Sequence, residues 1–189
     1  MTTVFIGGSR RITRLSQAVT QRLNTIVVKK LPIVVGDASG ADKSVQAFLR
    51  NRDYERVTVY CTGDVCRNNL GNWSVVHIEP TGKSTRRDRA FFTLKDRAMS
   101  SKATHGLMLW DGASLGTLVN IVRLRREGRP VVVYVQPSDS FIDVRDDETL
   151  AELVNYSTAE LLADAEQLVG AELGQPAQQA PSSPNLALF

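Results

Sequence analysis

The chain has 189 residues, 42% of them hydrophobic, which supplies one globular core and falls short of two full domains. No apolar run is long enough for a bilayer span and no secretory pattern opens the sequence, so membrane-embedded and exported classes are set aside and a cytoplasmic location is expected. The formal net charge is +3 and the pI about 9.0, a small excess whose distribution says more than its size.

In chain order, Val4-Phe5-Ile6 is a short apolar run that ends in Gly7-Gly8-Ser9 and reads as a first strand. A helix is predicted from about Leu15 to Lys29, with Leu15, Val19, Leu23 and Ile26 on one face. Pro32 breaks it, and Ile33-Val34-Val35 forms the next strand. The turn Gly36 to Asp42 leads into a helix ending near Asn51, and Val57 to Tyr60 is the third strand. Cys61 to Trp73 is polar and rich in Gly and Asn, so it reads as a loop. Val75 to Ile78 is a further strand, and Ser84 is placed to cap a long helix from about Thr85 to Lys102. Thr104 to Trp110 is again strand-like. It is followed by the glycine turn Asp111 to Thr117 and a helix with Leu118, Ile121, Val122 and Leu124 on its apolar face. Gly128 stops that helix, and Val131 to Val135 is expected to be the last core strand.

This rhythm predicts an α/β fold: a three-layer, Rossmann-like parallel sheet with helices on both faces. Residues 1–136 form its body. Residues 137–171 are acidic and helical in pattern and form a peripheral extension. Residues 172–189 turn to Gln, Ala, Pro and Ser, too poor in apolar surface to fold alone.

Cys61 and Cys66 lack a second Cys pair or a His cluster, so zinc is not expected, and in a reducing compartment they read as two ordinary thiols. His77 and His105 read as packed side chains. The basic residues form three stretches: Arg10, Arg11 and Arg14; Arg86 to Lys102; and Arg123 to Arg129. Solvated helix faces account for most of them. A nucleic-acid surface is admitted by the charge but supported by no reader motif.

Three glycine-rich loops fall at strand ends, where doubly wound sheets bind ligands: Gly7 to Arg10, Gly36 to Asp42 and Asp111 to Thr117. Ser114 and Thr117 stand at a helix start, where free N–H groups and the helix dipole favour an anion such as phosphate. Neither a dinucleotide fingerprint nor a Walker loop is present. Lys95-Asp96-Arg97-Ala98-Met99, Gly106 to Gly112, Ser114, Gly116 and Thr117, together with Phe5 to Arg10 and Val35 to Asp42, resemble the SLOG superfamily. That group of Rossmann-like proteins includes the LOG phosphoribohydrolases and the DNA-processing protein A fold. The resemblance spans about Val4 to Tyr134.

In LOG proteins the pattern Pro-Gly-Gly-x-Gly-Thr-x-x-Glu holds the phosphate of a nucleoside monophosphate, and an Arg and the Glu serve N-glycosidic cleavage. Here Gly116 and Thr117 match, Asp111 stands where a glycine would, Asn120 takes the Glu position and Lys95 the Arg position. An amide does not titrate, so the resemblance implies phosphate binding more firmly than hydrolysis.

The expected ligand is therefore a nucleotide or sugar phosphate, with no cofactor and no metal. The contacts assigned to it are Gly8, Ser9, Arg10, Gly36, Asp37, Gly40, Asp42, Trp110, Gly112, Ser114, Gly116, Thr117 and Asn120. Asp111 and Lys95 are the catalytic candidates, Asp111 as ribose ligand, water activator or nucleophile. Turn or cap roles compete at Asp37 and Asp42, a buried strand-end role at Trp110, and a solvated one at Arg10. The alternatives are a nucleoside-monophosphate N-glycosidase or deoxyribosyltransferase, and a nucleic-acid-associated module. A homodimer is implied by the resemblance alone.

Overall fold

The computed structural model describes residues 2–79 and 89–173. The expected Ser84 cap, Arg86 and Arg87, and tail residues 174–189 lie outside the described residues.

Among the described residues, seven strands form one sheet: β1 (Val4–Gly8), β2 (Ile33–Gly36), β3 (Val57–Thr62), β4 (Ser74–Ile78), β5 (His105–Trp110), β6 (Val131–Val135) and β7 (Ser140–Val144). Their order is β4-β3-β2-β1-β5-β6-β7. The chain builds outward from β1 to β4, then crosses back to place β5 on the other side of β1. The order thus reverses between β1 and β5, where Gly8 lies in register with Leu109.

The first six strands are parallel, and β7 returns antiparallel to β6. Val131–Val135 was expected to close the sheet, so β7 is a correction. A single 3₁₀ turn, Gln136–Ser138, and Asp139 at φ 46° reverse the chain. Tyr134 donates its hydroxyl to Asp139 at 2.7 Å across the turn. The strand was hidden because Ser140-Phe-Ile-Asp-Val is half-buried and too short for its alternation to stand out.

Alternating side chains feed two cores. Val4, Ile6, Leu107 and Leu109 face α1 (Gln17–Val28) and α2 (Ala41–Arg50). Phe5, Met108 and Trp110 face α3 (Arg89–Lys102) and α4 (Leu115–Arg126). Two of these helices start on a serine cap: Ser16 accepts the Val19 N–H in α1, and Ser114 accepts the Thr117 N–H in α4. At the start of α2, Gly40 sits at φ +79°, and a Cβ there would collide with the Arg10 backbone. The chain continues through α5 (Asp147–Ala151) and a 3₁₀ turn into α6 (Ala159–Leu173). Ala165 and Val169 of α6 are fully buried in the α4-side core. Among the described residues, no helix is long and apolar enough to cross a membrane.

The two thiols are a second correction: Cys61 and Cys66 are disulfide-bonded, with Cα atoms 5.3 Å apart. The chain leaves β3 and doubles back around Gly63, at φ +79°, which brings the pair within bonding reach. Spacing alone did not disclose that reversal.

A cleft at the β1 and β5 ends

A cleft of about 1070 Å³ opens over the carboxyl ends of β1 and β5. Gly8, Ser9, Arg10, Lys95 and Asp111 line it, as do Asp42, Ser114, Gly116, Thr117 and Asn120. The other assigned contacts lie around it. Trp110 is fully buried, and its indole N–H donates to the Ser114 carbonyl at 3.1 Å, bracing the loop from below. Gly112 turns against the Tyr156 carbonyl and Gly40 against Arg10. Gly36 leaves room for two side chains, since a Cβ there would strike Asp42 Oδ2 and Lys95 Nζ.

The loop side is organised by Asp111. Its Oδ1 accepts the backbone N–H groups of Ser114 at 2.8 Å and Ala113 at 3.2 Å. Its Oδ2 accepts the Ser9 hydroxyl at 2.8 Å and has the exposed Arg11 guanidinium at 3.9 Å. One carboxylate thereby ties the β1 loop to the β5 loop. Burial pushes Asp111 up, but the Ser9 hydroxyl and the two N–H groups outweigh it and hold the carboxyl below its usual range. It is an ionised acceptor with both oxygens engaged.

Beyond it, the Ser114 side chain takes the Thr117 N–H, and the Leu118 N–H enters the helical ladder. The amides of Leu115 and Gly116 are the first-turn donors that neither takes. Gly116 is exposed, and a Cβ built on it meets nothing within 4 Å.

The floor is built from charges. Lys95 Nζ lies 3.0 Å from Asp96, 3.6 Å from Asp42 and 4.0 Å from Asp37. Arg67 grips Asp37 through Nη2 at 2.6 Å and Nε at 2.9 Å, and donates its backbone N–H to the same carboxylate. Burial pushes Lys95 down, but Asp96, Asp42 and Asp37 outweigh it, so the ammonium stays charged. Burial pushes Asp37 up, yet Arg67 carries it below the usual range. Asp42 goes the other way: burial dominates, Lys95 offsets only part of it, and the carboxyl is raised.

Asn120 donates to Asp96 at 3.2 Å and accepts from Arg123, so both ends of its amide are used. Arg123 and Arg97 then converge on Glu172 of α6. Glu172, the first residue of the segment read as a tail, thus lies in a helix and on the cleft wall. Phe5, Met99, Val119 and Leu168 give the cleft an apolar wall.

Sequence reasoning missed Arg67, Asp96 and Glu172 as site residues. Asp96 sat inside the quoted Lys95-Asp96-Arg97 run, whereas Arg67 lay in a loop with no periodic signal and Glu172 at a shift of composition. Among the described residues, no three His, Cys, Asp or Glu side chains converge as a metal site.

No family model matches the sequence, and no curated protein does. Solved structures do. The chain is similar to DNA processing protein A from Helicobacter pylori, described for its single-stranded DNA binding, with TM-score 0.52 and 16% identity over 90% of this chain and 81% of that one. It is also similar to DNA processing protein A from Streptococcus pneumoniae, with TM-score 0.54 and 16% identity over 86% of this chain and 61% of that one. The sheet order, the switch between β1 and β5 and these neighbours together give the chain the Rossmann-like fold seen in DNA processing protein A.

Proposed function

We propose that this chain binds a phosphate-bearing ligand of nucleotide chemistry in the β1/β5 cleft and does not cleave its glycosidic bond. The observation that carries the reading is the open start of α4. The Ser114 cap leaves the Leu115 and Gly116 amides untaken, and Gly116 lines the cleft at the strand-order switch with nothing within 4 Å of a Cβ built on it. Backbone donors at a helix N-terminus suit a phosphate. Arg11 at the mouth adds positive charge. The apolar wall of Phe5, Met99, Val119 and Leu168 offers a surface for a flat base.

Two features weigh against catalysis. Asn120 replaces the carboxylate of the hydrolytic pattern, and its amide is occupied at both ends. Lys95, the second catalytic candidate, is committed to three carboxylates. Asp111 is the remaining candidate, and its oxygens serve the loop instead.

A second reading, single-stranded DNA, is favoured by the fold comparison, since the Helicobacter pylori neighbour is described for that binding. Exposed Arg10 and Arg11 on the cleft would extend contact to further phosphates of a strand.

The test is calorimetry at near-physiological salt with the four common nucleoside 5′-monophosphates, ribose 5-phosphate and a dT oligonucleotide, with chromatography for free base. Saturable monophosphate binding without base release is expected. Release of base would establish the N-glycosidase alternative. Oligonucleotide binding with a steep salt dependence and no monophosphate binding would establish the second reading.

A further inference from the structure

Glu172 of α6 reaches the wall of the cleft. What holds it there is a pair of arginines. Its Oε2 accepts from Arg123 Nε at 3.1 Å and Nη2 at 2.7 Å, and its Oε1 meets Arg97 Nη2 at 3.0 Å. Arg123 is only 2% exposed, and a further guanidinium nitrogen donates to Asn120, which fixes its plane. Arg97 is 48% exposed and, with Glu172, lines the cleft.

Gly116, Asn120 and Arg123 follow one another at spacings of four and three, so they share one face of α4. Seven residues of helix separate the open N-terminus from Arg123, about 10 Å along the axis. One helix face therefore presents two places for an anion, and Glu172 fills the second.

We propose that Arg97 and Arg123 form a second anion seat, held by the chain's own Glu172 until a ligand's second phosphate displaces it. This rests on the phosphate reading of the cleft and specifies it: the ligand carries two phosphate groups, as in a nucleoside bisphosphate or in successive units of a strand. A phosphate offers the same fork-matching oxygens as the carboxylate, with more charge when it is the terminal monoester of a bisphosphate and the same single charge when it is the diester of a strand.

The experiment titrates wild type, E172Q and the E172Q/R97A double variant with adenosine 5′-monophosphate, adenosine 3′,5′-bisphosphate and a 5′-phosphorylated dinucleotide of deoxyadenosine. E172Q should tighten the bisphosphate about tenfold, the scale of one charge-assisted hydrogen bond. It should change the monophosphate less than about twofold, and R97A should cancel the gain. A matching gain for the dinucleotide identifies a strand as the source, and its absence identifies a free nucleotide. Equal change for mono- and bisphosphate, or no gain in E172Q, overturns the proposal and leaves Glu172 as a strut for α6. If no chain binds the monophosphate, the phosphate reading of the cleft fails first and takes this inference with it. R97A alone tests the seat if E172Q does not fold, since Arg97 is half-exposed: it should reduce bisphosphate binding and spare the monophosphate.

Discussion

The two halves of the cleft use charge in opposite ways. On the loop side, a single carboxylate, Asp111, arranges neutral donors and leaves the start of α4 open. On the floor, Lys95, Arg67, Asp37, Asp42 and Asp96 satisfy one another, and little charge remains to spend on a ligand. The lesson is that a cationic residue lining a cleft is not thereby a ligand contact. Lys95 takes the position of the cleavage arginine in the pattern the sequence resembles, yet its ammonium is paired with Asp96, Asp42 and Asp37.

The largest effect should therefore fall on the floor. Lys95→Met leaves three carboxylates around one site with only Arg67 to balance them, and should cost about 3–5 kcal/mol in urea unfolding. A loss under about 1 kcal/mol would mean that the floor is solvated and that Lys95 is available after all.

Next is the clasp beside the floor. The Cys61–Cys66 bond closes a short loop just before Arg67, which holds Asp37. A C61S/C66S variant should lose about 2 kcal/mol by loop entropy. Equal stability of the oxidised and reduced chains would separate the clasp from the floor.

The loop side should respond more gently and with a pH signature. Asp111→Asn weakens the acceptor for two N–H groups and the Ser9 hydroxyl, costing about 1 kcal/mol at neutral pH. The Asp111 carboxyl is held below the ordinary aspartate value of about 3.9. Its contribution is thus fully present above that value and is lost as the pH falls through the folded value. The gap between wild type and D111N should stay constant from pH 7 to about 5 and narrow below about 4. A gap that widens in acid would reverse the assignment.

The same contrast explains what the sequence disclosed. Glycine turns and strand runs are local, so Gly7 to Arg10, Asp111 to Thr117 and the order of elements could be read directly. The placement of Ser114 and Thr117 at a helix start was equally local. The floor is not local: Asp37, Arg67 and Lys95 come from three separated segments, and only folding shows that their charges cancel. Trp110 read as either a stacking platform or a buried strand end, a choice fixed by the alternation of β5 against α4. The Cys61–Cys66 bond and β7 depended on chain reversals at Gly63 and Asp139 that carry little pattern.

If the open start of α4 receives a phosphate through backbone donors, Gly116→Asp should abolish that binding without unfolding the chain. An acid in the first helical turn favours the helix dipole, and replacing glycine removes a helix penalty, so the variant should be at least as stable as wild type. The same carboxylate occupies the place of the anion. Calorimetry with adenosine 5′-monophosphate should show binding by wild type and a loss of at least about tenfold in G116D, with an unchanged or raised Tm. Undiminished binding by a folded G116D would mean that the phosphate sits elsewhere than at the start of α4.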